Sequence, residues 1–122
     1  MTRRRRRYRG LAAYEHWILR ALNDNGGSDK VPHVYEVVLG KMRDQFGPRE
    51  METVRTDGSG QPVWKNETRW ARLNLIEDGR MEPSQIHGIW KISEKGKVWL
   101  KENPTAPCLS GPGSVDDLSD MN

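Results

Sequence analysis

The sequence predicts an α+β fold with a three-helix core, a small β-hairpin and a C-terminal helix. Three observations carry this. Val63 to Ile76 has a helical period, with Trp64, Thr68, Ala71 and Leu75 stacked on one face. Gly79 follows the last periodic residue, where a glycine ends a helix. After Arg80-Met81-Glu82 and a polar tip, Ile89, Trp90 and Ile92 favour a strand across Gly88–Ile92. Helix, short strand, turn, strand is the order of a reading helix followed by a β wing. The expected architecture is therefore a winged helix-turn-helix.

The other elements follow in order. Leu11, Tyr14, Ile18, Ala21 and Leu22 form one apolar face of a first helix over Leu11–Asn23, with Trp17 at its edge. Asn23-Asp24-Asn25-Gly26-Gly27 stops it. Lys30-Val31 is expected to make a β-bridge. Pro32 opens a second helix reaching Phe46, since proline suits a first turn. Val34, Val38, Met42 and Phe46 run along it at steps of four, and Gly47-Pro48 ends it. The 16 residues from Gly47 to Pro62 are many for a helix-turn-helix, whose tight form uses three or four. Met51 and Val54 suggest a short helical turn there, and Asp57-Gly58-Ser59-Gly60 a hinge. After the wing, Ser93 caps a helix over Glu94–Glu102, with an acid in its first turn and Val98, Trp99 and Leu100 on its apolar side. Gly96 is tolerated inside this helix but costly, and Gly40 weakens the second helix by about 1 kcal/mol.

The chain has 122 residues, enough for one domain, and a hydrophobic content of 34%. The apolar shortfall lies at the ends. The domain is expected at 11–103, between a disordered Arg-rich arm at 1–10 and a disordered Pro/Gly/Ser/Asp tail at 104–122. Five tryptophans compensate for the small core. The net charge of +3 hides a segregation. The arm holds six arginines, Arg3, Arg4, Arg5, Arg6, Arg7 and Arg9, and the tail holds Asp116, Asp117 and Asp120. The 14 basic and 14 acidic side chains between them cancel, so binding by the domain must come from local placement of charge. The single cysteine, Cys108, excludes an internal disulfide and fits a reducing cytoplasm. No apolar run approaches the ~18 residues that span a membrane, so no membrane partner is expected.

Asn66, Arg69-Trp70-Ala71-Arg72, Leu75 and Gly79, followed by Gly88-Ile89-Trp90-Lys91-Ile92-Ser93-Glu94-Lys95-Gly96, resemble the N-terminal winged-helix domain of the Mrr family of restriction enzymes. The resemblance spans roughly Leu11 to Asn103 and rests on the two motifs in this order at this spacing. It implies a winged helix that binds DNA in a restriction or defence context, with a possible preference for modified bases. It departs from the family at Glu67, where an arginine is frequent. An acid there would weaken phosphate contact.

The nuclease domain to which that family's domain is joined holds Mg²⁺ with an Asp and an Asp/Glu-x-Lys pair. No Asp or Glu of this chain has a Lys two positions on, so a non-catalytic protein is expected. His16, His33 and His87 make no metal-ligand spacing with one another or with Cys108, and neither metal nor cofactor is expected. Ordinary packed or surface histidines are the simpler account, with His87 at the wing tip the one placed to touch DNA.

The expected partner is double-stranded DNA. Lys65, Arg69 and Arg72 share a stripe of the third helix about a quarter turn from its core face. Asn66 and Arg69 are the candidates for base edges, since an amide pairs with adenine and a guanidinium with guanine. Lys65 and Arg72 are expected on phosphates, and the wing, with Arg80, His87 and Lys91, on the adjacent backbone. The arm adds sequence-independent phosphate contacts. Trp64, Trp70 and Trp90 are expected to pack rather than stack on bases. Two alternatives stand beside this. The domain would be a protein-docking module, favoured by exposed apolar residues such as Ile76. Or it would be the DNA-targeting domain of a larger Mrr-like nuclease, with a nuclease subunit as partner.

Overall fold

The apolar repeat of the first helix puts it at the centre of the molecule. The computed structural model describes residues 10–53 and 60–109. The elements run α1 (Ala12–Asp24), β1 (Ser28–Lys30), α2 (Val31–Met42), α3 (Pro48–Met51), α4 (Val63–Glu77), β2 (Met81–Glu82), β3 (Ile89–Ile92) and α5 (Glu94–Glu102). Tyr14, Ile18, Leu19 and Leu22 of α1 are fully buried, and α1 packs against α2, α4, α5 and β3. The fold is an α+β winged helix.

The sheet is antiparallel in the order β1-β3-β2. Met81 stands opposite Ile92 and Glu82 opposite Lys91, the hairpin expected from the sequence. On its other edge β3 pairs with three residues, Asp29 facing Trp90, rather than with a bridge at Lys30-Val31. Val31 instead opens α2, its N–H donating to the carbonyl of Gly88 at 3.0 Å. The wing base is thereby tied to the start of the second helix.

The second helix ends earlier than Phe46. Regular helix stops at Met42 and tightens into a 3₁₀ turn at Arg43–Gln45. Phe46 is extended, and its ring lies 6.0 Å from that of Trp64 and 6.2 Å from that of Tyr14. Helix α5 has the bounds read from the sequence, with Ser93 Oγ accepting from the Gly96 N–H at 3.1 Å. Its apolar side is Leu100 and the half-buried Trp99, while Val98 faces out. Gly96 has a reason to stand inside a helix. A Cβ there would lie 2.2 Å from the carbonyl oxygen of Arg80 and 2.7 Å from Cγ1 of Ile92.

The chain keeps contact with the body beyond Asn103. Arg20 Nη2 donates to the carbonyl of Pro104 at 2.8 Å. The Leu109 N–H donates to Gln45 Oε1 at 2.6 Å, and Leu109 packs against the core. Residues 1–9 of the arm expected at 1–10, the hinge residues Asp57–Ser59 and the tail from Ser110 onward lie outside the described residues. Among the described residues no helix is long and apolar enough to cross a membrane.

Candidate nucleic-acid interface

Helix α4 is fixed at both ends. The Val63 N–H donates to the Glu52 carbonyl at 2.7 Å, and the Lys65 and Asn66 N–H groups to that of Pro62. At the other end Gly79 takes φ +88, which lets the Arg80 N–H return to the Leu75 carbonyl at 2.9 Å and the Gly79 N–H to that of Ile76. Trp64, Thr68, Ala71 and Leu75 are buried, as their spacing predicts. That orientation turns Lys65, Asn66, Arg69 and Arg72 outward along one stripe.

The stripe lies beside an aromatic cluster. The Tyr35 ring of α2 sits edge-on to Trp64 at 6.1 Å and to Trp90 at 5.9 Å. Lys65 Nζ lies 5.0 Å from the centre of the Tyr35 ring, and the Arg72 guanidinium 5.1 Å from that of Trp90. Both cations are restrained by a ring face, an attraction of about 0.5–1 kcal/mol when exposed. Between them Arg69 is exposed and donates to Asn66 Oδ1 at 3.4 Å. Arg72 Nη2 also donates to Ser84 Oγ of the wing at 2.9 Å. Burial pushes the Tyr35 hydroxyl above its ordinary pKa, and the charges of Arg69 and Arg72 pull it back. Burial likewise lowers the pKa of Arg72.

Glu67 does not oppose this stripe. Its carboxylate accepts from Arg49 Nη2 at 2.8 Å, and its side chain is mostly covered. Arg49 also pairs with Glu50, whose carboxylate accepts from the Gly47 N–H at 2.7 Å. Glu67 is thus taken up by the segment between α2 and α4. Tyr14, buried nearby, has its hydroxyl pKa raised by burial first and by the charge of Glu67 second.

Arg80 is a correction. Expected on the DNA backbone, it is 6% exposed and faces inward. Its Nη2 donates to Glu15 Oε1 at 2.8 Å and to Asp78 Oδ2 at 2.6 Å, and its guanidinium lies 4.8 Å from the centre of the Trp99 ring. Burial works against its charge, but the hydrogen bonds and charges of Asp78 and Glu15 more than compensate, and its pKa is raised. Asn74 Nδ2 donates to the other oxygen of Glu15 at 2.9 Å, so this network ties α1 to α4 and to the root of the wing.

The remaining expected contacts divide. His87 is exposed on the wing, between the exposed Ile86 and Gly88. Lys91 is exposed but points from the face of β3 opposite Trp90, because successive strand residues alternate. It therefore lies across the sheet from Arg72, in a groove of about 280 Å³ that Ser28, Ser84, Ile86 and Ile89 also line. Trp70, expected to be buried, is half-buried against the core, as is Ile76. His16 is fully buried, while His33 pairs with Asp29. The hydrogen bond to Asp29 and then its charge raise the His33 pKa. Among the described residues no three His, Cys, Asp or Glu side chains gather to hold a metal, and Cys108 is exposed.

Tyr35, Arg49 and Ser84 are the residues that sequence reading missed. Tyr35 sits one position from the periodic Val34, and an aromatic beside a core position on the second helix is the one signal that points to it. Nothing in the spacing signals the other two.

No curated protein and no solved structure gives a significant match to the chain. The family model of the Mrr N-terminal domain matches residues 13–102, from the first turn of α1 to the last residue of α5, and the chain belongs to that family.

Proposed function

We propose that this domain binds double-stranded DNA without catalysis, with α4 as the reading helix and the wing on the flanking backbone. One observation carries this. Lys65, Arg69 and Arg72 share a stripe with Asn66, and among the described residues none of the three makes an ion pair with a carboxylate. The domain is neutral in total charge, so an attraction to phosphate would come from this local placement. The nearest acid on the same helix, Glu67, is occupied by Arg49. Arg69 and Asn66 would meet base edges, and Lys65 and the arm phosphates. Arg80 has no part in the interface. The family supports a restriction-system context, with a nuclease domain or subunit as the partner that cuts.

A gel-shift series against salt, with random and chosen duplexes, tests this. Removing the six arginines of the arm lowers the slope of log K against log salt by as much as ~5, alike for every sequence. Arg69→Ala changes that slope by only ~1 and reduces discrimination between sites by ~1–3 kcal/mol. If the arm-deleted domain binds no duplex at low salt and Arg69→Ala changes nothing, α4 is not the reader. A docking role has one observation in its favour, the 66% exposure of Ile86 above the groove beside the wing. It would then take over, although Ile76 offers no apolar platform, being packed against the core.

A further inference from the structure

Arg72 is held differently from the other cations of the stripe. Lys65 rests on a ring of the helical core, and Arg69 donates a hydrogen bond to Asn66 of its own helix. Arg72 is gripped by the hairpin on two sides. Trp90 of β3 supports its guanidinium plane, and Ser84, between β2 and β3, receives its Nη2 donor. Ser84 is itself oriented, because its hydroxyl donates to the carbonyl of Ile89 at 3.2 Å. The hydroxyl has one proton, spent on Ile89, and its lone pairs face the guanidinium. The Arg72 Nε is buried and has no hydrogen-bond partner among the described residues. The arginine is therefore fixed in orientation without being neutralised.

We infer that Ser84 is the positioning residue through which the wing presets Arg72 for the duplex, so that wing and reading helix act as one rigid reader. The inference rests on the DNA-binding reading and adds to it a residue and a division of labour. A free arginine loses much of its rotamer freedom on making a contact, and one already held in its fork geometry loses less. Ser84 is exposed, so it contributes this orientation at little cost to the fold.

Ser84→Ala tests the inference in the full chain. Duplex affinity falls about fivefold, the size of one ordinary hydrogen bond, with the salt slope unchanged because no charge is lost. Ser84→Thr, which keeps the hydroxyl, restores affinity. In an Arg72→Ala background the same substitution adds nothing, since there is no guanidinium left to orient. A readout without DNA accompanies these. In ¹⁵N relaxation of the free protein, the Arg72 Nε–H order parameter falls in Ser84→Ala and recovers in Ser84→Thr. An unchanged order parameter overturns the inference. So does equal weakening by Ser84→Ala with and without Arg72, which would make Ser84 a direct DNA contact. If the order parameter falls and no duplex binds, the coupling of Ser84 to Arg72 stands and the DNA-binding reading fails.

Discussion

Arg72 and Arg80 make the same first contact and come to opposite ends. Each lays its guanidinium over a tryptophan, Arg72 at 5.1 Å from Trp90 and Arg80 at 4.8 Å from Trp99. Around Arg80 two carboxylates close in, its pKa rises, and the side chain is sealed among α1, α4 and α5. Around Arg72 there is a serine hydroxyl instead, and its pKa falls because burial outweighs the one favourable charge effect, that of Tyr35. A ring orients a guanidinium in either case. What the side chain is for depends on whether acids meet it. The cation with carboxylate partners holds the wing root to the core, and the cation without them is the one the proposed function places toward the duplex.

The largest effect that would break this contrast is on stability. Arg80→Ala takes a buried guanidinium away from Glu15 and Asp78, and removing one partner of a buried pair costs about 3–5 kcal/mol. Arg72→Ala, with no carboxylate to abandon, costs about 1 kcal/mol or less, the scale of an exposed cation–π contact. Urea denaturation of the two variants side by side measures the difference. Equal losses would mean that the two sites are not distinct in kind.

Trp90→Ala sharpens the comparison from below. Loss of a buried tryptophan costs about 3–5 kcal/mol, and the same substitution removes the support of Arg72. A variant that is destabilised and also weakened for duplex, at a temperature where it is still folded, fits both roles. A loss below about 1 kcal/mol would show that the ring is not part of the core.

The smallest expected effect is on the pH dependence of the Arg80 side of the molecule. His16 lies between the rings of Trp17 and Trp99, with Arg20 close by. Burial first, and the charge of Arg20 second, hold its pKa below the ordinary histidine value. The unfolded chain takes up this proton below about pH 6.5 while the folded one resists it. The stabilisation from His16 is therefore complete above about 6.5 and is lost as pH falls below that value. Urea midpoints at about pH 7.5 and about pH 5.5 bracket that value. His16→Phe should flatten the part of the decline that the histidine causes, and an unchanged profile would remove His16 as its source. His33, whose pKa is raised by Asp29, works in the opposite direction, but its side chain is 52% exposed, where the pairing is partly screened.

The sequence made the local features legible. The core face of α4, the Gly79 stop, the Met81–Ile92 hairpin and the Ser93 cap depend on residues a few positions apart, and each formed as expected. The 3₁₀ ending of α2 was not legible, because it follows from the packing of Phe46 on Tyr14 and Trp64. The fate of charge was least legible. Arg80 is buried because Glu15 is there to meet it, and Glu67 is paired because Arg49 reaches it from the segment before α4. Helical spacing shows which charges share a face. It does not show which of them are met by partners from far along the chain.

Gly96 gives the molecule a different kind of signature. With 2.2 Å between a would-be Cβ and the Arg80 carbonyl, position 96 admits a single amino acid, while Lys97, Val98 and Lys101 on the outer side of the same helix press on nothing comparable. Randomising α5 would thus return a fixed glycine at a position flanked by the varying Lys97 and Val98, and glycine is a poor helix former. A propensity scale would discard it first. The closeness of α5 to the root of the wing is recorded in the chain as the one side chain that α5 lacks.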